Sequence, residues 1–536
     1  MEKLLEAVFR LDAAKDFVGL KDFVIKGRYN AVQIFVALEQ LLHGVRFQSE
    51  ARIQSAYLLA VILDQVGVRH TSVSLALSAG GLLFGNAEVN ARGLQLLREQ
   101  TKIPSPTEQR DNQLVRAVMV GLLNLILPKS GSLNNPLVIG IIEILKAASP
   151  PFRTVFDWQA PVPELSLEEM RSRRPETPLV TYPLPPADAP RPQRRVLIVS
   201  APSMTLWMLR YEIAMNKYGW QAEIFTCPRP TEASAVDMCR IIKEICRQKS
   251  VDVLFLEAGP LAGMGGADAY TEMKAQLRQD NPSLRVLGLV CDSLGDAGEQ
   301  SLLEWGFFDG LLLHHHDPLA PHMQNNPHYK EKILHEYLIP ILDQTFGTTD
   351  RPLVPKMFFR GSIRNPHWAR VLWLAAAGRA GLPLSQEINQ FLDSNEPSRY
   401  DPSPSYKQWL LEDYTTYMRK HTEATCCISL VMFGNMVRYL TTRSFEVLLS
   451  GSLLVQEFTP FMHHHFIPGE HYLEFSTIAE LSSIVRFITE RREEAEEVRR
   501  RGHAFARERY NDARIIGQID RLLYFNDSEK TVNSGN

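Results

Sequence analysis

Apolar residues recur at helical spacing through the first part of the chain, from Ala31 to about Ser149. The segments AVQIFVALEQLL, SEARIQSAYLLAVILDQVG and NAEVNARGLQLLREQ each place apolar side chains three and four positions apart. This pattern predicts an all-helical domain over residues 1–149. Two segments, beginning at Ser49 and Ala87, share a glutamate followed eight positions later by two leucines, which hints at a solenoid of stacked hairpins. A plain helical bundle explains the pattern equally well.

A proline-rich stretch interrupts this pattern between Pro150 and Pro192. It holds eleven of the 33 prolines of the chain. Because proline fixes φ and lacks a backbone donor, neither a long helix nor a central strand is expected there. The sequence therefore predicts a linker over residues 150–193 that runs extended along a surface.

Beyond the linker, short apolar runs alternate with helical segments. RRVLIVS and WQAEIFT are predicted strands, and the helix between them ends at Gly219. The pattern continues through VDVLFLEAG, LRVLGLVCD and FDGLLLHHH, which are apolar on both faces, as parallel strands covered by helices must be. A second alternation starts at PKMFFRGS and finishes in charged helical sequence near Tyr510. We therefore predict an α/β fold with two tandem Rossmann-like domains, at residues 194–350 and 351–528, and a disordered tail at 529–536.

Composition and charge narrow the range of partners. The formal net charge is −3 in 536 residues, so the chain lacks the basic field typical of proteins that bind nucleic acids or anionic membranes. Six cysteines without a C-x-x-C pair indicate reduced, mostly buried thiols. The amino terminus carries charges throughout, and no run of about 18 apolar residues occurs. These features predict a cytoplasmic protein without a membrane span.

Candidate catalytic groups follow two strands of the first Rossmann-like domain. Asp292 ends LRVLGLVCD, whereas His314 and His316 share one face at the end of FDGLLLHHH. Ligands of open parallel sheets bind beyond these carboxyl ends, so Asp292, His314 or His316 is suited to act as a general base. Polar capping of the strand ends explains them equally well. Two histidines fall short of the three protein ligands of a catalytic zinc site, and we predict no metal.

The first strand of the second Rossmann-like domain leads into a candidate anion site. It is followed by Arg360, Gly361, Ser362 and Arg364. Glycine permits close approach to the backbone, and the arginines can bind a diphosphate at the start of the next helix. A turn with solvated arginines would look the same.

The stretch RSFEVLLSGSLLVQEF reads as a short helix followed by a buried strand. We predict that Thr442 or Ser444 caps the helix and that Gly451 ends it in the left-handed conformation. Glu446, in the predicted first turn, has two explanations. It either favours the helix dipole by about 0.3–1 kcal/mol, or it accepts hydrogen bonds from a ribose diol while the helix amino terminus holds phosphates. The later triplet at 463–465 is predicted to line the same cleft.

The segment from Arg443 to Phe475 resembles the C-terminal domain of glycosyltransferases of the spore-maturation-protein type, a group 1 branch of the GT-B fold. The matching residues are Arg443, Phe445, Glu446, Gly451, Glu457, Phe466, Pro468 and Gly469. The strand and loop from Phe359 to Ser362 also resemble the entry into that family's donor domain. The likeness is good from about Lys356 to Tyr510, is only a general α/β pattern from Arg195 to Asp350, and leaves out the helical domain.

This resemblance implies a donor site for a nucleotide sugar in the second Rossmann-like domain. Glu446 would bind the nucleoside and Arg360, Arg364 and Arg443 would lie near its phosphates, with Gly361, Ser362 and Glu457 in the same site. The first domain would bind the acceptor and supply the base. Many retaining members carry a second glutamate eight residues before the ribose-binding one, and Arg438 stands there in this chain. The stereochemical outcome is therefore left open.

The resemblance also implies an enzyme that needs no metal or other cofactor. Arginines and fixed amide dipoles can stabilise a departing diphosphate without Mg²⁺, and Asp292 and Asp296 do not form a D-x-D metal motif. The nucleotide sugar is then a substrate rather than a cofactor.

Alternatives for the whole protein stay open at this point. Stacked helices offer long concave surfaces for chains, so the acceptor is predicted to be a protein bound by the helical domain; the same domain could mediate a homodimer. A sugar-nucleotide epimerase of the same fold would convert the donor without an acceptor. A catalytically inactive binding or scaffold protein would keep the fold without the chemistry.

Overall fold

The computed structural model describes residues 29–43, 50–84, 87–100, 154–176, 193–200, 205–226, 235–257, 267–290, 295–313, 333–336, 339–361, 369–388, 404–431 and 440–524, with residues 179 and 325 and scattered positions between 115 and 144. The first helices in this part of the chain are α1 (Ala31–His43), α2 (Glu50–Gln65), α3 (Thr71–Phe84), α4 (Ala87–Gln100) and α5 (Leu167–Ser172).

The amino-terminal region is helical, as its apolar periodicity predicts. Helices α1 to α4 pack on their sequence neighbours, and inward-facing side chains such as Leu38, Leu59 and Leu75 are fully buried. Burial of one apolar stripe on each helix is what stabilises such an assembly. The choice between a solenoid and a bundle, and the domain boundary at residue 149, stay predictions.

The first α/β unit contains a six-stranded parallel sheet covered by helices. Its strands are β1 (Arg195–Ser200), β2 (Gln221–Thr226), β3 (Val253–Glu257), β4 (Arg285–Val290), β5 (Gly310–Leu313) and β6 (Ile333–Glu336). They lie in the order β2-β1-β3-β4-β5-β6, and every pair is parallel. The helices are α6 (Thr205–Tyr218), α7 (Ala235–Lys249), α8 (Ala267–Asp280) and α9 (Gly295–Glu304). Gly219 ends α6 with φ of 109°, as predicted.

The second α/β unit repeats this strand order in a five-stranded parallel sheet. Its strands are β7 (Met357–Gly361), β8 (Leu384–Ile388), β9 (Cys426–Ser429), β10 (Leu453–Glu457) and β11 (Leu473–Phe475), in the order β11-β10-β9-β7-β8. Its helices are α10 (Ala369–Arg379), α11 (Pro404–Ala424), α12 (Thr442–Leu449), α13 (Met462–His465), α14 (Ile478–Glu490), α15 (Arg492–Arg509) and α16 (Asp512–Tyr524). In each unit the first strand lies between the second and the third, so the chain reverses direction across the sheet between β1 and β3 and between β7 and β9. Such a switch point is where open parallel sheets bind ligands.

The two α/β units share one apolar core. Side chains of α6, such as Met208 and Tyr211, belong to the same buried cluster as Phe445 of α12. The last helix, α16, returns from the second unit and packs against α6 of the first. Nε of Arg194, just before β1, lies 3.3 Å from Oδ1 of Asp520 in α16. The two units are therefore joined by packed helices as well as by the chain.

The segment from residue 154 to 176 packs against the second unit. Phe156 is fully buried and its ring meets Trp373 edge-on at a centroid distance of 4.8 Å. Beyond α5, Nε of Arg174 donates to the main-chain oxygen of His463 at 2.8 Å. The apolar cluster of the amino-terminal helices is continuous with that of β7, α10 and α14. Among the described residues, the helical region thus shares its apolar cluster with the second unit.

The predicted fold class, two tandem Rossmann-like units after a helical region, is confirmed by these strand orders and is the arrangement of the GT-B type. The five runs quoted for the first unit and PKMFFRGS in the second all form strands, whereas the sequence pattern gave no prediction of β6, β8 or β9. No helix within the described ranges is both long and apolar enough to cross a membrane. The domain boundaries at 193, 350 and 528 stay predictions.

Candidate functional site

Polar side chains of the second unit collect at the carboxyl edge of its sheet, where β7 and β9 end and α12 begins. Thr441 is the N-cap, with extended φ and ψ of −114° and 152°, and its hydroxyl hydrogen-bonds to no residue that the structure describes. The predicted N-caps, Thr442 and Ser444, are wrong, whereas Gly451 follows the helix in the left-handed conformation, with φ of 77°, as predicted. Thr442 is already the first helical residue, and the hydroxyl of Ser444, inside the helix, donates to Oε1 of Gln456 on β10 at 2.7 Å. The amino terminus of α12 therefore carries an unpaired hydroxyl, that of Thr441, at the switch point of the sheet.

Glu446 lies in the second turn of α12 rather than in the predicted first turn, because the helix starts at Thr442. The effect of the helix dipole falls off within the first turn, so the simple electrostatic explanation of this glutamate does not hold. Its side chain is 7 % exposed. Oε1 accepts a hydrogen bond from Nη1 of Arg210 at 2.8 Å, and Oε2 accepts one from the hydroxyl of Tyr417 at 2.9 Å. Glu446 is thus a buried carboxylate that faces the first unit.

Arg443 occupies the space beside Gly361. A Cβ atom at Gly361 would lie 2.2 Å from Nη2 of Arg443, so only glycine lets the guanidinium come this close to β7. The guanidinium also lies 5.1 Å from the centre of the Phe359 ring. Its Nε and Nη1 atoms are shielded from solvent and hydrogen-bond to no residue that the structure describes. Buried donors normally have an acceptor, and here they lie next to the amino terminus of α12.

Two further arginines surround Arg443. Arg370, at the start of α10, is 3 % exposed and donates from Nε to a main-chain oxygen just after β9 at 3.0 Å. Burial, together with the neighbouring Arg443, lowers the pKa of Arg370. Arg360, at the end of β7, lies 5.1 Å from the centre of the Tyr417 ring and 3.7 Å from a carboxylate oxygen of the exposed Asp413. Positive charge is therefore concentrated at this edge.

Glu457 is the second buried carboxylate of the edge. It ends β10, is fully buried, and its Oε2 accepts a hydrogen bond from the main-chain N–H of Val431 at 2.7 Å. This contact fixes the backbone that follows β9. Arg210 neutralises Glu446. Arg443, whose buried Nε and Nη1 hydrogen-bond to no described residue, is the group at this edge that suits an anionic ligand.

The rings that pack around Glu446, those of Tyr414, Tyr417 and His421, are uncharged. Burial raises the pKa of both Tyr414 and Tyr417 above the usual value, with the Glu446 carboxylate adding to the shift in each. Tyr417 therefore remains protonated and donates to Glu446. Burial lowers the pKa of His421 to about 3, so this ring, whose Nδ1 lies 2.8 Å from the main-chain oxygen of Tyr417, is uncharged.

Several predicted site residues lie outside the described residues. These are Asp292, His314, His316, Ser362, Arg364 and Arg438. β4 ends at Val290 and β5 at Leu313, so Asp292 and His314 do follow carboxyl ends of the first sheet. Within the described ranges, no three His, Cys, Asp or Glu side chains are grouped as metal ligands. The prediction of a metal-free site stays a prediction.

The histidine triplet at 463–465 is buried inside the second unit, and the prediction that it lines the cleft is wrong. The three residues form α13, a short helix after β10. Nε2 of His463 lies 2.7 Å from Oε2 of Glu474, and Nδ1 of His465 lies 2.8 Å from the hydroxyl of Tyr510. The segment is buried in the core of the unit, and the imidazoles of His463 and His465 act as internal hydrogen-bond partners.

Sequence reasoning missed Arg210, Arg370 and the strand β9, which precedes α12 in the chain. The apolar run TCCISLVMF is a strand signal that would have found β9. Arg210 stands within the apolar helix WMLRYEI, and a cation on a buried helix face calls for a carboxylate partner. The identity of that partner, 236 residues away in the sequence, could not be found from local pattern.

Comparison with known families agrees with this geometry. Residues 413–521, about a fifth of the chain, match the family described as Glycosyl transferase-like. The matched part contains Arg443, Glu446 and Glu457 and the elements that hold them. The predicted glycosyltransferase class is confirmed at this level, and the epimerase and inactive alternatives gain no support. No curated protein matches the chain.

Solved structures that superpose on the chain include glycosyltransferases of different organisms. Anabaena HepE in complex with UDP and glucose is 10% identical, with a TM-score of 0.40, and the match covers 62% of this chain and 99% of that one. Sucrose-phosphate synthase of Thermosynechococcus elongatus is 13% identical, with a TM-score of 0.42 and the same coverage. An O-GlcNAc transferase mutant of Thermobaculum terrenum is 14% identical, covers 92% of this chain and 94% of that one, and has a TM-score of 0.27. The fold assignment above rests on the strand orders.

Proposed function

We propose that the protein transfers a sugar from a nucleoside diphosphate sugar to an acceptor, with the donor bound at the carboxyl edge of the second α/β unit. The observation that carries this proposal is the Arg443 guanidinium beside Gly361. Two of its nitrogen atoms are buried without a described hydrogen-bond partner, at the amino terminus of α12 and at the switch point of the sheet. Guanidinium groups and helix amino termini are both suited to phosphates. The family match over residues 413–521 supports the same class of enzyme.

In the proposed reaction, the bond between the anomeric carbon and the diphosphate oxygen breaks, and the diphosphate leaves with the electron pair. The acceptor atom forms the new bond to the anomeric carbon and loses its proton to a base. Arg443, with Arg360 and Arg370, stabilises the charge that develops on the diphosphate, and fixed cations do so without reorganisation. Glu446 accepts hydrogen bonds from the ribose diol. Glu457 supports this arrangement through the backbone after β9.

The first unit then supplies the acceptor side of the cleft. Asp292, His314 and His316 follow strands whose carboxyl ends face ligands in folds of this kind, and we propose that one of them accepts the proton of the acceptor. Arg364 and Ser362 follow Gly361 directly and extend the diphosphate site. These roles rest on position in the sequence and on the strand ends.

We propose further that the acceptor is a protein held by the helical region. The supporting observation is that this region shares a core with the second unit and would move with the donor site. Incubating the protein with a cell lysate and a labelled donor should then label a polypeptide. If label appears only in small molecules, the protein acceptor is rejected while the transferase proposal stands.

A nucleotide-binding experiment tests the donor site. Titration of the protein with UDP, GDP, ADP, CDP and dTDP should raise the unfolding temperature with at least one of them, because a ligand of the native state stabilises it by mass action. Arg443→Met should weaken that binding at least tenfold. Arg500→Met, on the exposed side of α15, is the matched control and should bind as the wild type does. Binding that survives treatment with EDTA supports metal independence.

The outcomes separate the candidate activities. If none of the five nucleotides stabilises the wild type, the transferase proposal fails. If a nucleotide binds and its sugar is converted in the absence of any acceptor, as followed by NMR, the epimerase replaces the transferase. If Arg443→Met binds as tightly as Arg500→Met, the donor lies elsewhere.

A further inference from the structure

Glu446 is bound by an arginine of the other α/β unit. Arg210 lies in α6 of the first unit, and its Nη1 donates both to Oε1 of Glu446 at 2.8 Å and to the hydroxyl of Tyr414 at 3.0 Å. Its guanidinium also lies 4.8 Å from the centre of the Tyr414 ring and 5.1 Å from that of Trp207. The side chains of Arg210 and Glu446 are 3 % and 7 % exposed. The pair is therefore a dry contact between the two units.

This contact occupies the position that the proposed function gives to the ribose. A ribose diol donates two hydrogen bonds and requires both oxygens of the carboxylate. In the structure Oε1 accepts from Arg210 and Oε2 from Tyr417, and solvent scarcely reaches either oxygen. A diol can bind Glu446 only after Arg210 withdraws, whereas Tyr417 can keep its hydrogen bond because each carboxylate oxygen accepts more than one.

We propose that Arg210 is a positioning residue that holds the donor carboxylate in a closed arrangement of the two units and is exchanged for the ribose when the nucleotide binds. The inference rests on the proposed function, since it assigns the ribose to Glu446. Binding then breaks an ion pair between the units, which frees α6 to move relative to α12. Donor binding and the relative position of the units become coupled through a single side chain.

The sign of the effect follows from the energetics of buried ion pairs. Removing one partner of such a pair leaves an uncompensated charge and raises the free energy of the arrangement that buries it. Loss of Arg210 therefore destabilises the closed arrangement and leaves the nucleotide-bound one unaffected. A ligand binds with higher apparent affinity when the binding-competent state of the protein is more populated. The variant without Arg210 should be less stable alone and should bind the nucleotide more tightly.

The chain offers a control in a second ion pair that joins α6 to the other unit. Nζ of Lys407, on α11, lies 2.9 Å from Oε1 of Glu212 on α6. This second bridge also joins the two units, but it is more exposed than the Arg210–Glu446 pair, and no described contact links it to either of those residues. Replacing Lys407 by Met removes an inter-unit ion pair without changing the donor carboxylate.

The test compares the wild type, Arg210→Met, Arg210→Lys and Lys407→Met in the full chain. Binding of UDP, GDP, ADP, CDP and dTDP is measured by calorimetry, and hydrogen exchange is followed over residues 205–218 and 442–449. We expect Arg210→Met to bind the preferred nucleotide at least fivefold more tightly. Arg210→Lys and Lys407→Met should stay within about twofold of the wild type, because both retain a cation at Glu446. In the wild type, the nucleotide should increase exchange over 205–218 and reduce it over 442–449.

The outcomes test the proposed function and the exchange of Arg210 for ribose separately. If no nucleotide binds the wild type or any variant, the proposed function fails, and this inference with it. If the wild type binds but Arg210→Met binds equally or more weakly, the exchange of Arg210 for ribose is wrong and the donor site stands. If Arg210→Met does not fold, the wild-type exchange experiment decides: unchanged or reduced exchange over 205–218 on binding overturns the inference.

Discussion

Gly361 matters because a single hydrogen atom in place of a side chain makes room for Arg443. A Cβ there would lie 2.2 Å from Nη2 and 2.9 Å from Cζ of that arginine. The displaced group is the far end of a flexible side chain, so Gly361→Ala should fold with a modest loss of stability. The guanidinium would move away from the proposed diphosphate. We expect nucleotide affinity, measured by calorimetry, to fall about tenfold, equivalent to roughly 1.4 kcal/mol.

A glycine of the other sheet provides the control for crowding. A Cβ at Gly288, on β4, would lie 2.6 Å from Cδ2 of Leu311 in the buried core. Gly288→Ala should therefore lower the unfolding temperature at least as much as Gly361→Ala and leave nucleotide affinity unchanged. Equal affinity of the two variants would mean that the position of Arg443 is irrelevant to binding.

At the residue scale, the sequence predicted what depends on local spacing and missed what depends on long-range contact. Gly361 and Glu446 were found because a glycine after a strand and a polar group near a helix start have local signatures, whereas Arg443 was found through the resemblance of its segment to a known family. Gly361 and Arg443 lie side by side in the structure, whereas their role in binding a ligand stays a prediction. Arg210 was missed because pairing between two units depends on how the folded units dock. No periodicity in either segment encodes that contact.

The start of α16 carries a pH-sensitive carboxylate, Asp512, where the chain crosses back between the units. The main-chain N–H of Asp512 donates to Oδ1 of Asp343 at 3.0 Å, and Nζ of Lys217, on α6, lies 3.4 Å from Oδ2 of Asp512. Burial and, second, the charge of Asp343 raise the pKa of Asp512 from 3.8 to about 6. Folding therefore favours the protonated carboxyl at this helix terminus.

The pH dependence of stability follows from this direction. Between about pH 4 and 6 the folded chain keeps a proton on Asp512 that the unfolded chain has released, so the stability contributed by this group is present below pH 4 and is lost as pH rises through 6. Asp512→Asn removes the titration. We expect its free energy of unfolding, relative to that of the wild type, to increase by on the order of 2 kcal/mol between pH 4.5 and pH 7.5. This change is measured as a relative rise of its unfolding temperature over the same pH range.

Asp280→Asn is the corresponding control. Asp280 is 52 % exposed and forms a surface bridge with Arg247, and exposed bridges contribute little to stability. The difference between this variant and the wild type should stay nearly constant over the same pH range. A constant difference for Asp512→Asn as well would show that its carboxyl titrates normally in the folded protein.

Among the elements, those with unambiguous periodicity were predicted and those of mixed pattern were not. β1, β3, β4 and β5 are continuous apolar runs, and buried parallel strands require that composition. β8, with the sequence LSQEI, is an edge strand whose polar residues give no such run. β9, at the centre of the second sheet, has only four residues directly after a long helix, so its strand signal is short and was missed.

On the scale of the whole molecule, the helical region and the second α/β unit form one continuous apolar core. Phe156 anchors the segment 154–176 to this core. Its ring packs against Trp373 and is fully buried. Because large cavities in a core cost about 3–5 kcal/mol when a phenylalanine is truncated to alanine, Phe156→Ala should detach the segment. We expect a lower unfolding temperature and increased hydrogen exchange over both 154–176 and α10.

A neighbouring aromatic residue separates this core contact from a surface contact. Trp158 is only partly buried and stacks under the guanidinium of Arg379 at 4.4 Å, an interaction of about 0.5–1 kcal/mol at exposed sites. Trp158→Ala should change exchange near residue 158 and leave α10 protected. If Phe156→Ala has the same small effect, the helical region is tethered to the second unit but does not share its core. A protein acceptor held by the helices would then no longer be fixed relative to the donor site.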